Sequence, residues 1–222
     1  MADCLLSPRQ GDAAGQRARS WMLRGAKTHG CGGEAVKRIL SLCDFSGAWS
    51  QPYADAGYEV IRVDLQHGQD VRLLKRMDNI HGILAAPPCT CFCLAGNRYH
   101  AKRSKEEFLE AHSVVDACIR IVYACKPKWW ALENPAGTLK QFLGDPAMRF
   151  NPCDYGDPYT KKTCLWGNFT PPVPILLGED RRVKPTEGSK MHTQYGGKSQ
   201  ATKNARSKTP AGFAKAFFEV NP

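Results

Sequence analysis

The sequence predicts an α/β fold: a mostly parallel sheet with helices on both faces. Three observations carry this. From Val36 onward, short apolar runs of strand length alternate with helix-like segments. The runs are apolar nearly throughout, as strands buried on both faces are. The residues able to do chemistry stand at the carboxyl ends of these runs, where open α/β sheets bind ligands. At 222 residues the chain suits one such domain.

The elements follow in order. Residues 1–35 lack a clean period and read as a basic N-terminal arm, with Arg17, Arg19 and Arg24 near Trp21. Residues 36–222 read as the catalytic domain. A strand is expected over 39–45, ending in Asp44-Phe45-Ser46-Gly47, then a helix over 49–56 closed by Gly57. A second strand fits 58–64 and ends in an acid. A third fits 80–86 and is broken by Pro87-Pro88. A long helix fits 105–124, with Phe108, Leu109, Val115, Ile119 and Val122 at helical spacing. Trp129 to Leu132 reads as a strand ending at Glu133-Asn134-Pro135. Residues 151–155 and 163–166 suggest an antiparallel pair joined by Gly156-Asp157-Pro158. Residues 181–210 are polar and turn-rich, with eight basic residues against one acid, Glu187.

Composition narrows the function. The formal net charge is +10 and the isoelectric point about 9.2. A basic balance favours a polyanionic partner. Mean hydropathy is −0.43, and no apolar run of membrane-spanning length occurs, so no membrane partner is expected. The N-terminus has no apolar signal core, which predicts a cytoplasmic protein. Ten cysteines in a chain this long do not suggest a secreted disulfide scaffold. Cys43 and Cys118 lie inside apolar runs and read as buried thiols. Nothing in the sequence specifies an oligomer, so a monomer is the default.

Three motifs carry chemistry. In the first, Gly47 permits close backbone approach and the following helix offers free N–H groups. Asp64, after the second strand, can accept from ribose hydroxyls. Asp70 could accept from an adenine amino group while Val71 packs on the ring. The bland alternative is an ordinary strand-to-helix turn with Asp44 as a helix cap.

The second motif is Ala86-Pro87-Pro88-Cys89-Thr90-Cys91-Phe92-Cys93. The prolines stiffen the strand exit and aim the Cys89 thiol. A thiol becomes a good nucleophile once its pKa is lowered. A proline turn with buried cysteines is one alternative. Metal binding is another, because an extended chain would put Cys89, Cys91 and Cys93 on one side. A zinc site wants a fourth ligand and this spacing is uncommon, so no metal is expected.

In the third motif Glu133 stands at a strand end. A protonated Glu beside a nucleophilic Cys could hydrogen-bond N3 of cytosine and open C6 to attack. Alternatively, Asn134-Pro135 would suit a helix cap followed by its first residue.

Taken together, Asp-Phe-x-Gly, Pro-Pro-Cys, Glu-Asn and Tyr155-Gly156-Asp157-Pro158, in this order over residues 39–166, resemble the C5-cytosine DNA methyltransferases. The stretch 206–214 looks like that of short bacteriophage-type members. The resemblance implies a Rossmann-like class I methyltransferase sheet with S-adenosylmethionine as cofactor. Asp44, Phe45, Gly47, Asp64, Asp70, Val71 and Pro87 would line the cofactor site. Cys89 would add to C6 of a cytosine flipped out of duplex DNA, with Glu133 holding N3 and the amino group. Pro88, Asn134, Lys161, Lys162, Thr163, Arg181, Arg182, Lys198 and Arg206 would face the nucleic acid. Amino-methyltransferases on DNA place an acid or amide and an aromatic around the two prolines, where this chain has Ala86 and Cys89.

The sequence departs from the family in three places. Two arginines usually follow Tyr-Gly-x-Pro. Here Lys161 and Thr163 stand in their places, and a lysine is a point charge, not a bidentate fork. Pro135 replaces the usual valine after Glu-Asn. The recognition domain is reduced to a short basic insert, residues 170–210. Such a stretch binds phosphates and positions without specifying sequence, which predicts low or very short sequence preference. Three other functions remain compatible: an RNA cytosine C5 methyltransferase, an enzyme adding another group to cytosine C5, and a catalytically weak DNA-binding relative.

Overall fold

The computed structural model describes residues 36–93, 103–175, 184–189 and 199–222. The expected arm over 1–35 and the candidates Arg181, Arg182 and Lys198 lie outside the described residues.

Six strands form one sheet: β1 (Arg38–Leu42), β2 (Glu59–Val63), β3 (Ile80–Ala85), β4 (Trp129–Pro135), β5 (Met148–Phe150) and β6 (Thr163–Asn168). Their order is β2-β1-β3-β4-β6-β5. The first four are parallel, and β6 runs antiparallel between β4 and β5. This is a Rossmann-like α/β sheet. Chain direction across it reverses between β1 and β3, which creates the crevice where such sheets bind ligands.

Strand alternation feeds two cores. Leu40, Leu42, Ile83, Leu132 and Trp166 pack on one face with the long helix, while Ile39, Leu84, Trp129, Ala131 and Leu165 pack on the other. The helices are α1 (Gln51–Asp55), α2 (Lys105–Cys125), α3 (Lys140–Leu143), α4 (Gln200–Ser207) and α5 (Ala211–Val220). α2 starts at a capping box, with Glu107 N donating to Ser104 Oγ at 3.2 Å and Ser104 N donating to Glu107 at 2.9 Å. Its buried stripe, Val115, Cys118, Ile121 and Val122, keeps helical spacing. Each large side chain in it contributes about 1.5–3 kcal/mol. On the opposite face α5 inserts Phe213 and Phe217, and Phe213 stacks on Phe150 at 3.9 Å.

Three expectations need correction. β1 ends at Leu42, three residues early, because Cys43 turns to φ +57°. β4 runs on through Glu133, Asn134 and Pro135, paired with Leu165, Cys164 and Thr163, so Asn134 is a strand residue and caps no helix. Residues Pro152–Tyr155 form a short 3-10 helix, and the antiparallel partner of β6 is Met148–Phe150. Proline at the first position favours that helical turn.

Candidate active site

Four strand ends meet at the crevice. After β1, Asp44 is buried and accepts hydroxyl hydrogen bonds from Ser41, Ser46 and Ser50 at 3.0, 3.2 and 3.2 Å. It shapes the loop and does not cap α1, whose N-cap is Ser50. Gly47 takes φ +66°, and a Cβ there would sit 2.5 Å from the Arg62 guanidinium. Half-buried Phe45 leans on His67, with ring centroids 5.1 Å apart. After β2, Asp64 Oδ1 accepts from Gln66 N at 2.8 Å. Its other oxygen has no hydrogen-bond partner among the described residues.

Asp70 differs from its expected role. Both of its oxygens are taken by Arg72, whose Nε and Nη2 lie 2.9 and 2.6 Å away, and whose backbone N also donates. These bonds hold the carboxyl below its usual range. An adenine amino group would find a guanidinium already there. Val71 is buried in the core and, through its carbonyl, accepts from Arg120.

After β3 the chain turns sharply. Phe92 N and Cys93 N both donate to the Cys89 carbonyl at 2.9 Å. The extended chain that would align Cys89, Cys91 and Cys93 is therefore not formed. Cys91 is buried instead and accepts from Arg103. Cys89 and Cys93 stand one helical turn apart, and their thiols share a hydrogen bond. That bond and burial push the Cys89 thiol well up; Lys161 opposes the rise and Glu133 adds to it. The sequence set Cys93 beside Cys89 only as a possible metal ligand, because the i, i+4 relation appears only once the turn is known.

Across from Cys89, Glu133 and Lys161 form a buried ion pair at 3.4 Å, their side chains 9% and 8% exposed. The Thr163 hydroxyl donates to the Lys161 carbonyl at 2.8 Å, and Ala136 N donates to the Lys162 carbonyl at 2.8 Å. The Lys162 side chain is exposed. Asn134 Nδ2 donates to the buried Pro87 carbonyl at 2.9 Å, linking β4 to the cysteine loop, while Asn134 Oδ1 has no hydrogen-bond partner among the described residues. Pro88 is exposed. Thr138 N donates to the Phe92 carbonyl at 2.8 Å, and at Gly137 a Cβ would come within 1.8 Å of that oxygen. Only glycine allows this approach.

The basic segment returns to the same edge. On α4, Asn204 and Gln200 exchange amide hydrogen bonds with Gln66, two residues past Asp64, at 3.1–3.4 Å. Arg206 lies half-buried on this helix. No sequence signal marked this contact, since the three residues are ordinary polar side chains far apart in the chain. Among the described residues no group of three or more His, Cys, Asp or Glu could hold a metal ion. No helix among them is long and apolar enough to cross a membrane.

Chemically, the crevice offers the Gly47 turn and an Asp64 oxygen on one side. On the other are a thiol from the loop after β3, a carboxylate from β4 and an ammonium from the turn before β6.

Comparison with protein-family models and with curated proteins finds no match. Among solved structures, the chain is similar to a candidate DNA modification methyltransferase encoded within an Escherichia coli prophage. The identity is 18% and the TM-score 0.42, over 60% of this chain and 46% of that one. It is also similar to the Entamoeba histolytica methyltransferase EhMeth, at 12% identity and TM-score 0.40, over 70% of this chain and 58% of that one. The chain thus spans about half the length of the structures it matches.

Proposed function

We propose that this chain transfers a methyl group from S-adenosylmethionine to C5 of a flipped-out cytosine in DNA. One observation supports the reading: the Cys89 thiol, beyond the end of β3, lies within electrostatic reach of the buried ion pair that Glu133, on β4, makes with Lys161, just before β6. A nucleophilic thiol beside a group that can hold N3 is the minimum needed to open C6 to attack.

The crevice suits the cofactor. Gly47 admits close approach, Phe45 offers a ring, and Asp64 has an oxygen available for a ribose hydroxyl. Asp44 and Pro87 shape the walls, and Asp70 would have to give up Arg72 to join them. When bound, the cofactor supplies an electrophilic methyl group.

The chain's own residues do the rest. The Cys89 thiol first gives its proton to solvent, and the thiolate Sγ bonds to C6 while Glu133 holds N3 and the exocyclic amine. The C5–C6 π pair becomes the nucleophile that takes the methyl at C5. A base then removes the C5 proton, the Sγ–C6 bond breaks, and the double bond reforms. Pro88, Asn134, Lys161, Lys162 and Thr163 border the base, and the basic stretch with Arg181, Arg182, Lys198 and Arg206 meets phosphates.

The test is incubation with unmethylated duplex DNA and methyl-labelled S-adenosylmethionine, followed by nucleoside mass analysis. The expected product is 5-methyldeoxycytidine, and Cys89→Ala should lower its formation at least about 1,000-fold. A Cys89→Ala protein that still modifies DNA would overturn the nucleophile assignment. Product from RNA but not from DNA would overturn the substrate.

A further inference from the structure

The proposed chemistry asks two things of Glu133. In the free site it is the ion-pair partner of Lys161 Nζ, 3.4 Å away, with both side chains largely buried. To activate cytosine it must present a proton to N3. Among the described residues Lys161 is its only hydrogen-bond or ion-pair partner. The other titratable groups acting on the pair are Cys89, from the loop after β3, and Cys164, from β6. Cys93 bonds Cys89, while Arg149 and Lys140 act on Cys164.

We propose that Lys161 is the proton reservoir of Glu133. This rests on the reading of Cys89 and Glu133 given above. Lys161 Nζ passes a proton to Glu133 Oε1, and the carboxyl passes one to N3. Lys161 becomes neutral and the base carries the positive charge. Addition of the Cys89 thiolate to C6 cancels that charge, and elimination returns the proton along the same path. Entry of a base drives the first transfer, because expelling water disfavours a separated charge pair in a buried site.

The lysine is what makes this possible. A guanidinium cannot give up its proton in a protein, whereas a buried ammonium can. The site is built to hold it. The Thr163 hydroxyl on the Lys161 carbonyl and Ala136 N on the Lys162 carbonyl fasten this turn to the end of β4 itself. Lys161 does not need to touch the reacting atoms, so it is a positioning and supply residue, not a catalytic one.

The experiment measures kcat and KM for duplex DNA from pH 6 to 10 with the full chain, Lys161→Arg and Lys161→Met, each checked by thermal melting. The expected result for Lys161→Arg is an unchanged KM, within about twofold, and a kcat lowered at least about tenfold. Its residual rate should climb toward acid pH, since the carboxyl must then draw its proton from water. Lys161→Met should lose kcat as well, because methionine carries no proton to give. Lys161→Arg with the kcat and pH profile of the unmodified chain would overturn the reservoir alone. An unmodified chain inactive on cytosine would overturn the reading of the site, and the reservoir with it.

Discussion

The two halves of the crevice use their charged residues in opposite ways. On the β1–β2 side the acids serve shape. Asp44 is consumed by three serine hydroxyls and Asp70 by Arg72, which leaves Asp64 with an oxygen to offer. On the β3–β4 side the polar groups are left in tension. The Cys89 thiol is pushed up by its neighbour and by burial, a charge pair is largely buried, and the buried Asn134 Oδ1 has no hydrogen-bond partner among the described residues. A satisfied carboxylate fixes a loop, while an unsatisfied or costly one stores a preference for something that has yet to arrive.

Three substitutions probe that contrast, in decreasing order of effect. Gly137→Ala should be the most damaging, because its Cβ cannot coexist with the Phe92 carbonyl. Prying the cysteine loop from the end of β4 should cost about 1–3 kcal/mol. It should also remove nearly all turnover, read by thermal melting and by the methylation assay. A stable, fully active Gly137→Ala protein would show that the suture between the two loops does not matter.

Cys93→Ala sharpens the comparison from inside the reactive half. The Cys93 thiol is the largest cause of the raised Cys89 value, so its loss should lower that value. The rise in Cys89 alkylation with pH should then move to lower pH, with the rate at pH 8 up roughly three- to tenfold. An unmoved profile would assign the raised value to burial alone. The smallest effect belongs to the shaping half. The Asp70 carboxyl is held below its ordinary range, so its stabilisation is present above about pH 4 and is lost as pH falls through the lowered value. Asp70→Asn should lower the melting temperature at pH 7 by no more than about 2 °C, because the pair is largely solvated. It should leave melting near pH 2 unchanged, and equal losses at both pH values would refute the assignment.

Much of this was legible in the sequence, for a reason that can be stated. Strands buried on both faces announce themselves as apolar runs, so β2, β3 and α2 were placed to within about one residue at each end and β1 and β4 to within about three. Glu133 and Cys89 stood out as candidates because each follows an apolar run in the sequence. What escaped depends on turns and on long-range pairing. The Cys89–Cys93 contact needs an i, i+4 turn in a segment that reads as extended beside its prolines. The commitment of Asp70 to Arg72 is local but looks like any charged pair. The burial of Lys161 contradicts what lysine does on average, and only the ion pair to Glu133 explains it.

One modest feature reaches further. Thr170, where the basic stretch begins, exchanges two hydrogen bonds with Asn221, at the far end of α5. Gly212, where that stretch has ended, is held by Asp157 at the near end of the same helix. Two of its attachments therefore stand on one rigid ten-residue rod, about 15 Å long. Chain inserted between points fixed in this way costs little closure entropy, so the segment can change length while α5 keeps its place on the sheet.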